Sequence, residues 1–264
     1  MITAMENWNS AAAYDRYAGR WSRLVGEAFV AWLGLPAGLD WADVGCGTGV
    51  LCQAIVRGAA PASLVGVDKS DSFLALANER LAGHTVRFER GEGLSLPIGD
   101  ATVDAAVSGL MLNFIPDHTG VVAEMRRIAR LGGTVGVYVW DYADGMQMMR
   151  QFWDAARQVD PAAERWDQGQ RFAICDPEAL SRLFAAAGLE DVEVSAIEVP
   201  TPFQDFDDFW QPFLGGQGGA PAYCGSLQAE TRDRLRQVLS ERLPIEPDGS
   251  IHLTARAWAV RGRV

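Results

Sequence analysis

Long apolar runs, clustered basic residues and metal-type cysteine spacings are all missing from this 264-residue sequence. No stretch approaches the roughly 18 apolar residues of a spanning helix, so a soluble chain without a membrane partner is expected. No Lys/Arg run offsets a formal net charge of −11, which would repel a phosphate backbone, and nucleic acid is not an expected partner. Cysteines 46, 52, 175 and 224 form no CxxC pair and have no histidine at ligand spacing, so neither a metal site nor a disulfide framework is expected. The first thirty residues show neither a charged region followed by an apolar block nor an Arg-rich, acid-poor composition, which makes the cytoplasm the expected compartment. Repeats and low-complexity tracts are lacking as well, and nothing specifies an oligomeric state.

What is present can build a core: 48% of residues are hydrophobic and 22% charged, the balance of an ordinary globular protein. From about residue 40 to 140, short β-like runs alternate with helical segments, which argues for a parallel sheet covered by helices on both faces. The expected strands are 41–44, 64–67, 85–89, 103–107 and 134–140, followed by 192–199 and 251–260. Between them, Val50, Leu51, Ala54 and Ile55 share a helical face, as do Phe73, Leu74, Ala77 and Leu81, and then Val121, Val122, Met125 and Ile128. Leu131-Gly132-Gly133 is expected to stop the last of these helices. The whole reads as an α/β fold, a Rossmann-like, seven-stranded, mostly parallel sheet. Residues 1–39 form an N-terminal helical cap on a domain spanning 40–264, with helical insertions at about 142–174 and 200–248. In the cap, Tyr14, Tyr17, Trp21, Leu24 and Ala28 recur at helical spacing, first of all as a packing face.

The chemistry concentrates where the first strand runs into Asp43-Val44-Gly45-Cys46-Gly47-Thr48-Gly49. Glycines there let a ligand approach the backbone, and the helix that follows points free N–H groups at a phosphate or a carboxylate. A dinucleotide fingerprint needs glycine at position 50, where this chain has Val50, and that weakens a nicotinamide reading. Asp68, at the end of the second strand, is placed to accept both hydroxyls of a ribose, whichever nucleoside carries it. Asp43 discriminates further, because a carboxylate before the first glycine suits a cationic group better than a pyrophosphate. It fits the sulfonium and ammonium of S-adenosylmethionine.

With these residues in view, the sequence resembles the class I methyltransferases, and within them the methyltransferase type 11 or ubiquinone/menaquinone-biosynthesis-like group. The resemblance rests on the glycine turn, on Gly66-Val67-Asp68, on Gly91-Glu92-Gly93 with Leu96-Pro97 and Asp104, on Val107-Ser108-Gly109-Leu110-Met111, and on Glu124-Met125-Arg126-Arg127 before Gly132-Gly133. It implies that Gly45, Gly47 and Gly49 surround the methionine moiety and that Asp68 holds the ribose. It further implies that Glu92 and Gly93 meet the adenine and that Ser108 and Leu110 line the pocket near the methyl donor. Glu92 departs from the family's usual aspartate by one methylene. The same resemblance places an N-terminal helix over the cofactor, with Tyr17 facing the sulfonium through its ring.

Methyl transfer is a direct displacement, so alignment in a dry pocket is the main requirement and no acid or base is obligatory. For an acceptor that must lose a proton, His118 and Asp141 are candidate bases, although either residue type also serves as a surface or helix-end group. Trp140, Tyr142, Met146, Met148, Met149, Phe152 and Trp153 could supply an apolar acceptor pocket, with Phe206, Phe209, Trp210 and Phe213 as a lid; packing of the insertions explains the same residues equally well. The expectation is therefore a metal-free methyltransferase that converts S-adenosylmethionine to S-adenosylhomocysteine while methylating a small, apolar or aromatic molecule. The alternatives are an NAD(P)-dependent oxidoreductase and a non-catalytic binding module of the same fold.

Overall fold

In the computed structural model, which describes residues 20–215 and 218–264, the buried runs pair into one seven-stranded sheet. Its strands are β1 (Asp40–Val44), β2 (Ser63–Asp68), β3 (Val86–Arg90), β4 (Val103–Gly109), β5 (Ala129–Trp140), β6 (Glu190–Phe203) and β7 (Ile251–Arg263). Their order is β3-β2-β1-β4-β5-β7-β6. β1 pairs in parallel with both β2 and β4, β2 with β3, and β4 with β5. The chain leaves β1 on one side through β2 and β3, then returns on the other side as β4. The ends of β1 and β4 therefore flank the crevice where open α/β sheets take their ligands.

Helices α1 (Arg20–Leu33), α2 (Val50–Gly58), α3 (Asp71–Arg80) and α4 (His118–Ile128) accompany these strands. α4 buries Val121, Val122, Met125 and Ile128, the four positions its periodicity marks. α1 departs from expectation. Its buried positions include Trp21, Val25, Phe29 and Leu33 at four-residue spacing, with Ser22, Gly26 and Val30 beside them, while Leu24 faces outward. Tyr14 and Tyr17 lie outside the described residues.

A second departure concerns the glycine pair after α4. The helix ends at Ile128 without it, because Ala129 is already extended and opens β5. Gly132, with φ +78°, instead forms an irregularity within β5: its N–H donates to the Val264 carbonyl, and the Val264 N–H donates to Gly133. A Cβ on Gly133 would lie 2.9 Å from the Asp104 carbonyl, so close approach of β4 explains that glycine.

The chain divides into two compact units. One comprises Ser22–Val139, Ile174–Ile197 and Ala257–Val264 and holds the parallel strands. The other comprises Trp140–Ala173 and Glu198–Arg256 together with residues 20–21. Its interior centres on α5 (Gln147–Val159), which buries Met148, Met149, Phe152 and Trp153 on one face. Phe152 stacks on Phe213 with ring centroids 4.3 Å apart, and Trp153 packs on Tyr223. Among the described residues, no helix is long and apolar enough to cross a membrane.

Candidate active site

β1 ends at Val44, and the turn that follows places all three of its glycines in the left-handed region, at φ +73° (Gly45), +52° (Gly47) and +82° (Gly49). The Gly45 and Cys46 N–H groups both donate to the Val67 carbonyl at the end of β2, which fixes where the turn departs from the sheet. The glycines then separate by role. A Cβ on Gly45 would come within 2.4 Å of Met111, and one on Gly49 within 3.1 Å of Ala77; a Cβ on Gly47 would meet nothing within 4 Å. Two of the glycines thus admit neighbouring side chains, and Gly47 alone presents bare backbone to open space. Gly49 caps α2 without any side-chain bond, so no side chain of the cap residue covers the start of that helix.

Asp68 closes the turn from the side. Its Oδ2 accepts from Gly47 N–H and its Oδ1 from Ser70 N–H, both at 2.9 Å, which orients the carboxylate and leaves each oxygen a further lone pair. Asp43 is fully buried within β1. Its Oδ2 accepts from the Cys52 thiol at 3.1 Å, while its Oδ1 has no hydrogen-bond partner among the described residues. Burial pushes the Asp43 carboxyl up to about 7; the Cys52 thiol opposes that rise and the Asp68 charge adds to it. An orphaned carboxylate oxygen at the end of β1 and a bare glycine backbone four residues on fit a ligand that carries both a cationic group and a carboxylate.

Beyond β3, Glu92 is exposed on a tight turn in which Ser95 N–H donates to the Glu92 carbonyl. The segment is fastened from α4. Leu96 N–H donates to Glu124, and Arg127 donates to the Leu96 and Ile98 carbonyls while pairing with Glu124. This is the physical work of Glu124 and Arg127, which the sequence marks only as a pattern. Gly93 faces Ile115, Val121 and the tip of Met111. Met111 therefore lies against both Gly45 and Gly93, joining the two ends of the crevice. Sequence reasoning assigns it no role, because no spacing rule links position 111 to a turn more than sixty residues earlier.

Three expectations need correction. Ser108 lines no open space: it is fully buried, and its hydroxyl donates to the Val44 carbonyl at 2.6 Å, tying β4 to β1. Asp141 is engaged in the fold. It is buried, its Oδ2 pairs with the Arg256 guanidinium at 2.6 and 2.7 Å, and its Oδ1 accepts from Asp144 N–H. Trp140, Tyr142, Trp210 and Phe213 are buried side chains of the second unit, where Trp210 packs on Phe213 and Tyr142 on Phe172, so Phe213 is interior rather than lid. His118 is the first residue of α4 and half-buried; burial lowers its pKa, against the pull of Asp117, and favours the neutral ring. Leu110 follows β4 with φ +59°, held there by donation of its N–H to the Tyr138 carbonyl. A branched residue in that conformation is a strained position of the kind found at binding sites.

A family model described as a methyltransferase domain, type 11, matches residues 42–137, the stretch that holds the turn, Asp68 and the β4 end. The chain is similar to the demethylmenaquinone methyltransferase of Shouchella clausii, with 26% identity over 176 residues that cover 61% of this chain and 75% of the relative. The Staphylococcus aureus enzyme of the same name is 27% identical over 174 residues, covering 61% and 72%. Among solved structures, the YcgJ protein of Bacillus subtilis superposes with a TM-score of 0.57 at 16% identity, over 92% of this chain and 98% of its own. Phosphoethanolamine N-methyltransferase 2 of Haemonchus contortus, solved with S-adenosylhomocysteine, superposes with a TM-score of 0.58 at 15% identity, over 96% of this chain and 56% of its own. The fold and the site define a class I, S-adenosylmethionine-dependent methyltransferase. The match of residues 42–137 to a methyltransferase-domain model does not favour the oxidoreductase reading.

Proposed function

We propose that this methyltransferase passes the methyl group of S-adenosylmethionine directly to a small acceptor of apolar or aromatic character. The cofactor half rests on the fully buried Asp43, whose Oδ1 lacks a partner, four residues before the bare backbone of Gly47. Asp43 receives the cationic end of the cofactor, Gly47 and the first turn of α2 its carboxylate, and Asp68 its ribose. Gly93 and Met111 flank the adenine, with Glu92 at the rim. Bound S-adenosylmethionine supplies a methyl group activated by its sulfonium; the chain aligns the reactants and excludes water.

For the acceptor, two observations agree. Leu110, Met111 and Ile115, which follow β4, are apolar, and both curated relatives are named for demethylmenaquinone. His118, kept neutral by burial, takes the acceptor's proton on a ring nitrogen where the acceptor is a phenol or quinol.

Calorimetry with S-adenosylhomocysteine, followed by transfer of labelled methyl from S-adenosylmethionine to a naphthoquinol, tests both halves. Gly47→Ala is expected to weaken S-adenosylhomocysteine about tenfold or more, since a left-handed alanine costs about 1–2 kcal/mol and its methyl enters the ligand's space. Binding of NAD without S-adenosylhomocysteine would overturn the cofactor half. Label appearing only on aliphatic amines, never on the quinol, would overturn the acceptor half.

A further inference from the structure

We infer that Arg80, the last residue of α3, is a positioning residue for the cofactor turn and acts through Thr48. The inference rests on the cofactor reading above and assigns a role to a helix that contributes no ligand contact of its own. Arg80 Nη1 donates to the Thr48 hydroxyl at 2.8 Å and to the Thr48 carbonyl at 3.4 Å. Thr48 is buried between Gly47 and Gly49, so the bond takes hold in the middle of the turn.

The other end of α3 is fastened to the same turn by a separate route. Ser70 caps the helix by accepting from Phe73 N–H, and its own N–H donates to Asp68, whose second oxygen accepts from Gly47 N–H. At the C-terminal end of the helix, Ala77 and the C-cap Leu81 lie 3.1 and 3.2 Å from where a Cβ on Gly49 would sit. Residues 47, 48 and 49 are therefore each held by α3 or by its cap: Gly47 through Asp68 and Ser70, Thr48 through Arg80, Gly49 by packing.

Such a brace has a physical purpose. A turn with three left-handed glycines loses more backbone entropy on ordering than any other sequence would, and a ligand that must order it binds more weakly by that amount. A charge-assisted bond from a helix end orders the turn beforehand. Arg80 touches no reacting atom, so its removal should appear in cofactor affinity and in KM for S-adenosylmethionine, not in kcat.

The test uses the full chain and compares the parent with Arg80→Ala, Arg80→Lys, Thr48→Val, Thr48→Ser and the Arg80→Ala/Thr48→Val double variant, by S-adenosylhomocysteine calorimetry and by steady-state kinetics. Arg80→Ala is expected to raise Kd and KM about tenfold, the loss of one charge-assisted bond, with kcat held within about twofold. Arg80→Lys and Thr48→Ser, which keep donor and acceptor, recover most of the affinity, and the double variant binds no more weakly than Arg80→Ala alone. Parent-like affinity in Arg80→Ala, or additive losses in the double variant, would overturn the inference. Should Arg80→Ala fail to fold, Thr48→Val decides alone, because it leaves Arg80 in place; unchanged affinity there rejects the brace. A parent that binds no S-adenosylhomocysteine would overturn the cofactor reading and this inference together, whereas a parent that binds while the variants do not differ overturns this inference only.

Discussion

Asp43 and Asp167 are both fully buried carboxylates, one in each compact unit, and their surroundings are opposite. Asp167 caps α6 (Gln168–Arg171), accepts from Gly169 N–H, and is paired with Arg150 and, at 3.4 Å, Arg157. Asp43 is met only by Cys52, through its thiol and backbone N–H; its Oδ1 has no hydrogen-bond partner and no cation pairs with it among the described residues. The second unit pairs its buried carboxylates with arginines, Asp141 with Arg256 as well as Asp167 with Arg150, although Arg150 Nε is itself buried without a partner among the described residues. The sheet unit leaves one charge wanting, beside a glycine whose backbone is bare. The two carboxylates are equally buried, and what separates them is the cation that Asp167 has and Asp43 lacks among the described residues.

The largest effect tests the satisfied carboxylate. Asp167→Ala strands Arg150 and Arg157 without their buried partner, and urea unfolding should show a loss of about 3–5 kcal/mol. Binding of S-adenosylhomocysteine per folded molecule should stay at the parental value. A loss below about 1 kcal/mol would mean that the two carboxylates are not as different as their partners imply.

The next effect tests the unsatisfied one, through pH. Unfolded, Asp43 ionises near 3.8; folded, near 7. Between those values the unfolded chain has released a proton that the folded chain keeps, so this group's contribution to stability is complete below pH 3.8, falls as pH rises, and is lost above 7. Asp43→Asn removes the dependence, and its stability should exceed the parent's at pH 8 by as much as about 4 kcal/mol, the equivalent of a three-unit shift. A cationic ligand reverses the preference by favouring the carboxylate. S-adenosylhomocysteine, through its ammonium, should therefore bind the parent more tightly at pH 8 than at pH 6 and bind Asp43→Asn weakly at both. Parallel parent and variant curves of stability against pH would remove Asp43 from the argument.

The same contrast explains what the sequence discloses. β1 to β5 and the helices between them are legible because each carries its own period, as in α4 with its four buried positions, although the end of α4 is not where the glycine pair suggests. The glycine turn is legible because left-handed backbone demands glycine, and Asp68 because it ends a strand at a fixed distance from that turn. Partners supplied by distant segments are not legible: Arg80 for Thr48, Met111 for Gly45, Val44 for Ser108, and Arg256 for Asp141 across 115 positions. α1 departs from its expected stripe for a local reason. Its aromatic and aliphatic residues fit two overlapping helical stripes, and only packing selects Trp21, Val25, Phe29 and Leu33 over Leu24 and Ala28. The aromatic insertions invite a pocket reading because a core and a binding site use the same side chains.

The smallest effect separates strain kept for folding from strain kept for a ligand. Leu110 holds φ +59°, a conformation that costs a branched residue about 1–2 kcal/mol and that glycine adopts freely. Leu110→Gly relieves that cost but adds about 0.5–1 kcal/mol of unfolded-chain entropy and gives up part of a half-buried side chain. The terms offset, so stability should move by less than about 1 kcal/mol in either direction. If stability does not move, the strained leucine is kept for another task, and on the proposed function turnover of a naphthoquinol should fall severalfold while S-adenosylhomocysteine affinity changes less. A variant destabilised by about 3 kcal/mol would instead place Leu110 in the packing of the fold, on the same side of the comparison as Asp167.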